Sequence, residues 1–289
     1  MARIIDGKQM AEALLAQVGT GIAERLARGQ HAPALAVILV GDDPASSIYV
    51  GRKLRACAKV GITSRQYRLD RAVSQAELCD LIDRLNADPD THGILVQLPL
   101  PAQIDANAIL DRIVPAKDVD GFHPVNVGRL STGKGQGLVP CTPLGCMMLL
   151  DSVITQFRGR DAVVIGKSNI VGKPMALLLL ERECTVTVTH IATQDLPGIV
   201  RKADIVVAAA GHAGLVRGDW VKPGAVVIDV GINRIALPDG TTRIVGDVCS
   251  DEIAHARAYT PVPGGVGPMT VACLMANTLA AAQDLDRPG

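Results

Sequence analysis

Short runs of Val, Ile, Leu and Ala alternate along the chain with stretches where apolar residues recur every three or four positions. The runs at 34–40 (ALAVILV), 65–69, 93–97 (GILVQ), 161–165 (DAVVI), 185–190 (TVTVTH), 204–210 (DIVVAAA) and 225–230 (AVVIDV) predict strands. Near-continuous apolar character is what parallel strands covered on both faces require. The stretches near 8–28, 44–60, 74–87, 105–112, 143–157, 172–183 and 195–202 predict helices. Strand–helix alternation gives an α/β fold with parallel sheets. One segment departs: 113–142 carries Pro115, Gly121, Pro124, Gly128, Gly133, Gly135, Gly137 and Pro140 with little periodicity. It is the expected domain junction. The apolar stretch 269–284 follows a Gly/Pro-rich loop at 260–268 and is expected to form a helix that returns to the first domain. The expected division is therefore two α/β domains, 1–138 and 139–268, and a C-terminal helical segment, 269–289.

Composition narrows the function. The 289 residues suit two domains, at roughly 100–200 residues each. Lys plus Arg and Asp plus Glu are both 29, so the formal charge is zero. That balance argues against nucleic acid or an anionic membrane as partner. The aromatic rings are Tyr49, Tyr67, Phe122, Phe157, Trp220 and Tyr259, too few for a platform that stacks successive bases. Seven scattered cysteines without a CxxC pair fit reduced thiols rather than disulfides or zinc. Cys141 and Cys146 lack a partner cluster, so no metal site is expected. Arg3, Asp6, Lys8 and Glu12 leave no signal-peptide core, and no run reaches 18 apolar residues. The expected location is the cytoplasm.

Candidate chemistry sits at the ends of the apolar runs. Residues 161–174 read DAVVIGKSNIVGKP: a buried-type strand, a glycine turn, then a helix start. Free N–H groups and the helix dipole attract phosphate at such a turn. The spacing is Gly166-x-Ser168-x-x-x-Gly172 rather than GxGxxG, and a tight turn without ligand has the same pattern. The next strand ends at His190-Ile191 with no acid before Asp195 to take a ribose diol. With Lys167 in the turn, this tilts from NAD toward NADP.

Upstream, Asp43 and Pro44 can open a helix that Gly61 stops. Tyr49 and Lys53 then share a face at i and i+4. They could hold a substrate together, or form a snorkelling lysine beside a half-buried tyrosine. YxxxK also occurs in short-chain dehydrogenases, but there the glycine turn precedes the pair, whereas here it follows by more than 100 residues. Gln97 closes an apolar strand before Pro99, at the end where open parallel sheets bind ligands. A loop-capping amide is the other reading. The acids of DVDG (118–121) could bind a metal, cap a helix or hold an amino-pyrimidine edge. The stiff loop TPVPGGVGPMT (260–270) allows its backbone to approach a ligand closely.

Taken together, YVGRK (49–53), QLPLP (97–101), DVDGFHPVNVG (118–128), PCTPLG (140–145), GKSNIVGKP (166–174), DVGIN (229–233), GDV (246–248) and TPVPGGVGPMT resemble the bifunctional methylenetetrahydrofolate dehydrogenase/methenyltetrahydrofolate cyclohydrolase family. They follow the family's order over nearly the whole chain. The resemblance implies a folate-binding catalytic α/β domain, a Rossmann-type NAD(P)-binding domain with a parallel sheet, and a cleft between them holding both ligands. It implies a cytoplasmic homodimer in one-carbon metabolism and purine biosynthesis, with a tetrahydrofolate derivative as substrate and NADP, with NAD as the alternative, as hydride acceptor. Tyr49 would stack on the pterin-derived rings and Asp120 would accept from the amino-pyrimidine edge. Lys53 and Gln97 would face the one-carbon unit, with Lys53 moving the protons of hydrolysis. Pro263 and Gly264 would close over the substrate. Gly166, Lys167, Ser168, Gly172, His190, Ile191, Ile232 and Thr270 would hold the cofactor. Two positions depart from the family pattern. Lys167 replaces an arginine fork with a point charge, and Ile191 replaces a serine that helps hold the 2′-phosphate.

Overall fold

The computed structural model describes residues 1–134, 137–237 and 240–286, with 44 and 45 by backbone alone. Gly135 of the expected junction and 287–289 of the expected last segment lie outside the described residues. In chain order the elements open with β1 (Arg3–Ile4), α1 (Gly7–Ala27), β2 (Ala34–Val40) and α2 (Pro44–Val60). Next come β3 (Thr63–Leu69), α3 (Gln75–Ala87), β4 (Gly93–Val96), α4 (Ala106–Arg112), α5 (Pro124–Thr132) and α6 (Cys141–Asp151). The chain continues with β5 (Asp161–Ile165), α7 (Gly172–Glu181), β6 (Thr185–Thr189), α8 (Leu196–Val200), β7 (Ile205–Ala208) and β8 (Val226–Asp229). Then come β9 (Asn233–Ala236), β10 (Thr242–Val245), β11 (Ala258–Tyr259) and, last, α9 (Val266–Leu285).

The chain divides into two compact units. One comprises Glu12–Cys141 with the residues from Val271 on. Its three-stranded parallel sheet has the order β3-β2-β4. All seven residues of β2 are buried, as its central place demands, while β3 at the edge is exposed or half-buried throughout. Ile38, Val40, Ile94 and Val96 pack with Leu78, Ile82 and Leu85 of α3 and Ile109 of α4. The returning segment is tied in by Asn277, a buried residue whose Nδ2 donates to the carbonyls of Val119 and Val139, both at 2.9 Å.

The other unit comprises Met1–Ala11 and Thr142–Thr270. Its main sheet has six strands, all parallel, in the order β1-β11-β8-β7-β5-β6. Residues 1–11 were expected with the first domain. They group here instead because β1 pairs with β11, Arg3 opposite Ala258 and Ile4 opposite Tyr259.

The boundary between the units, at Cys141/Thr142, lies in the expected junction 113–142, and three local features differ from the sequence pattern. The stretch 113–142 contains α5: Pro124 stands in its first turn, and Gly133 at φ +61° closes it. Residues that read as breakers are its caps. The helix expected to 157 ends at Asp151. The N–H groups of Val153 and Ile154 both turn back to Leu150, and Val153 and Ile154 are buried without being helical. The hairpin of β9 and β10 and the two-residue strands β1 and β11 were not anticipated. Among the described residues no helix is long and apolar enough to cross a membrane.

Replacing Asn277 by Ala takes its donor from the Val139 carbonyl and leaves the Val119 carbonyl only the weak Cys141 thiol. We expect a loss of about 2–4 kcal/mol, read as a lower urea midpoint against the unsubstituted chain.

Candidate active site

Of the substrate candidates, Tyr49, Lys53, Gln97 and Asp120 belong to the unit of Glu12–Cys141, whereas Pro263 and Gly264 belong to the other. Helix α2 carries two of them and has firm ends. The Asp43 carboxylate accepts from the Ser46 N–H at 2.7 Å, which holds it below the usual carboxylate range. Gly61 adopts φ +87° and donates to the Cys57 carbonyl at 3.0 Å. Tyr49 and Lys53 are both half-buried on this helix. The Arg52 guanidinium lies 5.8 Å from the centre of the Tyr49 ring.

Lys53 Nζ donates to Gln97 Oε1 at 3.1 Å. Gln97 Nε2 donates to the Leu98 carbonyl at 2.7 Å, so the amide can turn only its oxygen toward the ammonium. The Gln97 backbone is itself pinned, its N–H reaching Ile38 O at 2.9 Å beyond the end of β4. The structure thus joins two residues 44 apart in sequence.

Asp120 comes from a loop that is held at several points. Lys117 is buried, and its Nζ donates to the carbonyls of Leu85, Asn86 and Asp88 at 3.0, 2.8 and 2.7 Å. A cation at the carboxyl end of α3 satisfies that helix's orphan acceptors. Asp118 accepts from the His123 N–H at 2.8 Å and from Asn126 Nδ2 at 2.9 Å. Gly121 has φ +75°, and a Cβ there would lie 2.6 Å from the backbone of Pro140. Burial pushes the Asp120 carboxyl above its ordinary range. Asp118 adds to the rise, while Lys53 and a hydrogen bond from Cys141 oppose it. A carboxylate so poorly hydrated gains more from N–H donors on a ligand than one in water.

Nearby thiols take no covalent part. Burial pushes Cys57 and Cys273 up to about 12 and Cys141 well above its ordinary value. The Cys57 thiol lies 3.5 Å from the Met275 sulfur. Thiols of that kind are not nucleophiles at neutral pH. Among the described residues no three His, Cys, Asp or Glu side chains form a metal site.

The nucleotide candidates belong to the other unit. Gly166 follows β5 with φ +121°, and a Cβ there would lie 2.2 Å from Ala209 O. A Cβ on Gly172 would lie 2.0 Å from Gly166 O. Both glycines are therefore set by close backbone approach, which fits a turn that admits a dinucleotide phosphate. One detail differs from expectation. Ser168 Oγ accepts the N–H groups of Val171 and Gly172 at 3.2 and 3.3 Å, and Ser168 O accepts that of Lys173 at 3.0 Å. The helix dipole and the exposed Lys167, rather than those N–H groups, remain for an anion.

His190 is exposed, and its Nδ1 accepts the Ala192 N–H at 3.2 Å, leaving Nε2 as the donor. Ile191 is fully exposed and offers no polar atom, while Ile232 is 49% exposed beside Gly231. Thr270 Oγ1 lies 3.1 Å from Thr142 Oγ1. The stretch expected as a loop over 260–270 is already helical from Val266; ahead of it Pro263 is exposed and Gly264 adopts φ +109°.

Sequence reasoning gave no role to Lys117 or Asn277, and nothing local marks them. For Asp118 it left metal binding, helix capping or a ligand contact open, and the structure shows it accepting from His123 N and Asn126 Nδ2.

At pH 8 an alkylating reagent should label the partly exposed Cys79 and Cys249 and spare Cys57, Cys141 and Cys273. Peptide mass mapping reads the pattern, and early labelling of Cys57 would contradict its burial.

Comparison with known proteins covers both units. Residues 140–286 match the family model for the NAD(P)-binding domain of tetrahydrofolate dehydrogenase/cyclohydrolase, and 5–120 match its catalytic domain. The chain is 66% identical over 283 residues to bifunctional protein FolD 1 of Rhizorhabdus wittichii, spanning 98% of this chain and 96% of that protein. It is 48% identical to the bifunctional methylenetetrahydrofolate dehydrogenase/cyclohydrolase structure from Campylobacter jejuni, with a TM-score of 0.94 over 98% and 99% of the two chains. The Trypanosoma brucei dehydrogenase-cyclohydrolase, solved with NADP cofactor and inhibitor, is 42% identical with a TM-score of 0.95 over 99% of each chain.

Proposed function

Because this chain belongs to the tetrahydrofolate dehydrogenase/cyclohydrolase family, we infer that its two sets of site residues divide two consecutive reactions on one folate. The enzyme oxidises 5,10-methylenetetrahydrofolate to the 5,10-methenyl form and then hydrolyses it to 10-formyltetrahydrofolate. NADP supplies the hydride acceptor for the first reaction.

Oxidation asks little of the side chains. The N5 lone pair of the folate helps expel hydride from the methylene carbon, and the product is a delocalised cation. No proton moves, so positioning dominates. Tyr49 would supply a flat face for the ring system and Asp120 would fix the amino-pyrimidine edge. Gly166, Lys167, Ser168 and Gly172 would seat the cofactor phosphates. His190 Nε2 is a donor for the ribose phosphate, and Ile232 would pack beside the nicotinamide.

Hydrolysis does need a proton carrier, and the observation that carries this half is the 3.1 Å bond from Lys53 Nζ to Gln97 Oε1. Water adds to the methenyl carbon. Lys53, as the amine, takes one proton from it. The adduct collapses as the carbon–N5 bond breaks, Lys53 returns that proton to N5, and the second proton of the water leaves to solvent. Gln97 keeps Nζ over the reacting carbon throughout. The same reading makes the protein a cytoplasmic homodimer that supplies one-carbon units for purine synthesis, with no nucleic-acid or membrane partner. Support for a dimer lies at the open edge of β3, beside a groove of about 580 Å³ whose apolar lining, Tyr67, Leu69, Val73, Leu81 and Leu85, is mixed with the charged Glu77, Asp80, Arg84 and Asp88.

Mixing the protein with methylenetetrahydrofolate and NADP should produce reduced cofactor absorbance; no reduction with NADP or NAD would sink the first activity. Lys53→Met, assayed on preformed methenyltetrahydrofolate, should hydrolyse it about 100-fold more slowly or worse, the usual contribution of a general acid–base. Asp120→Asn should raise the folate KM by about tenfold or more, the worth of one charged hydrogen bond.

A further inference from the structure

Two acids of the nucleotide unit, neither given a role above, sit where β8 and the segment after β10 end. Both are buried. Asp229 Oδ1 accepts from Gly231 N at 3.0 Å and Asp247 N at 2.9 Å, while Oδ2 accepts from Val248 N at 2.9 Å. Its own N–H reaches Thr260 Oγ1 at 2.8 Å. Asp247 Oδ2 accepts from Ala210 N at 2.7 Å and Gly211 N at 2.9 Å, and Oδ1 accepts from Asn233 Nδ2 at 2.8 Å.

The packing leaves no slack around this knot. A Cβ on Gly231 would lie 2.2 Å from Asp247 Oδ1, and one on Gly246 would lie 1.9 Å from Asp229 Oδ2. Burial pushes Asp229 up to about 6 even though three N–H groups draw it down. Together the two carboxylates fix both neighbours of Ile232, the loop after β7, and the strand end that meets Gly166 through Ala209. These are the carboxyl ends of β5, β7 and β8, where an open parallel sheet binds its ligand.

We propose that Asp247, backed by Asp229, is a positioning residue for hydride transfer, setting the backbone at Ala210–Gly211 and Gly231–Asn233 against which the nicotinamide is aligned. A displacement of about 1 Å at such a wall can cost about 100-fold in rate. The inference rests on the reading that Ile232 flanks the nicotinamide.

The test compares Asp247→Asn, Asn233→Ala and Ile232→Ala with the unsubstituted enzyme. In Asp247→Asn the new NH2 faces either two backbone N–H groups, donor against donor, or the Asn233 side chain, which must then turn its amide over to present Oδ1. The dehydrogenase kcat should fall tenfold or more, with a smaller change in the KM for NADP. The primary isotope effect with deuterated methylene substrate should rise, because hydride transfer becomes more fully rate-limiting. Hydrolysis of preformed methenyltetrahydrofolate should stay within twofold, reporting an intact fold. Asn233→Ala, which removes one donor and leaves both carboxylates, should give the same pattern at several-fold, so a poorly folding Asp247→Asn does not decide the matter. Unchanged dehydrogenase kcat and isotope effect, or both activities falling in parallel, would overturn the proposal. If Ile232→Ala alters neither the Kd for NADP nor kcat, the nicotinamide reading fails. If Ile232→Ala alters them while Asp247→Asn and Asn233→Ala do not, the positioning role alone fails.

Discussion

A carboxylate taken out of water must be met by hydrogen-bond donors, and the loops of both units are arranged to meet that demand. Asp118 is answered by His123 N and Asn126, Asp229 by three backbone N–H groups, and Asp247 by two more and Asn233. Each acid thereby stiffens a loop that has no regular structure of its own. The strands provide a buried aliphatic floor. The acids turn the chain ends leaving that floor into fixed surfaces on which ligands can be oriented.

This arrangement explains how an enzyme with so few ionisable groups in its candidate sites can serve two reactions. Oxidation generates a delocalised cation and asks for alignment. Hydrolysis asks for one proton carrier, and Lys53 has a fixed partner in Gln97. Ionic or nucleophilic extras would be a hazard beside a cationic, electrophilic intermediate, and the surrounding thiols are kept neutral by burial.

The sheet strands were readable from sequence because parallel strands buried on both faces are apolar along their length; Ala34–Val40 is the clearest case. Helix ends were readable where a side chain caps them, as Asp43 does for α2 and Ser74 with Glu77 for α3. They were misread where the same residue type serves two purposes. Pro124 and Gly133 look like loop punctuation but frame α5. At the candidate site, Tyr49 and Lys53 were linked by helical spacing, and Gln97 by its place at a strand end. Lys117 and Asn277 were not, because their partners lie about 30 and about 140–160 residues away, and no local pattern encodes a contact of that range. The pairing of β1 with β11 was hidden for the same reason.

The hydrogen bonds from Asn277 to the carbonyls of Val119 and Val139 bear also on the order in which the molecule is made. Val119 and Val139 flank the loop that presents Asp120, yet the amide that holds their carbonyls belongs to the final helix. A chain still being synthesised has every residue proposed to touch folate in that unit long before it has this donor. The unit is discontinuous, closed by a segment translated after the whole nucleotide half. Until that segment arrives, the Asp120 loop lacks one of its anchors, so the shaping of that loop is coupled to the synthesis of α9.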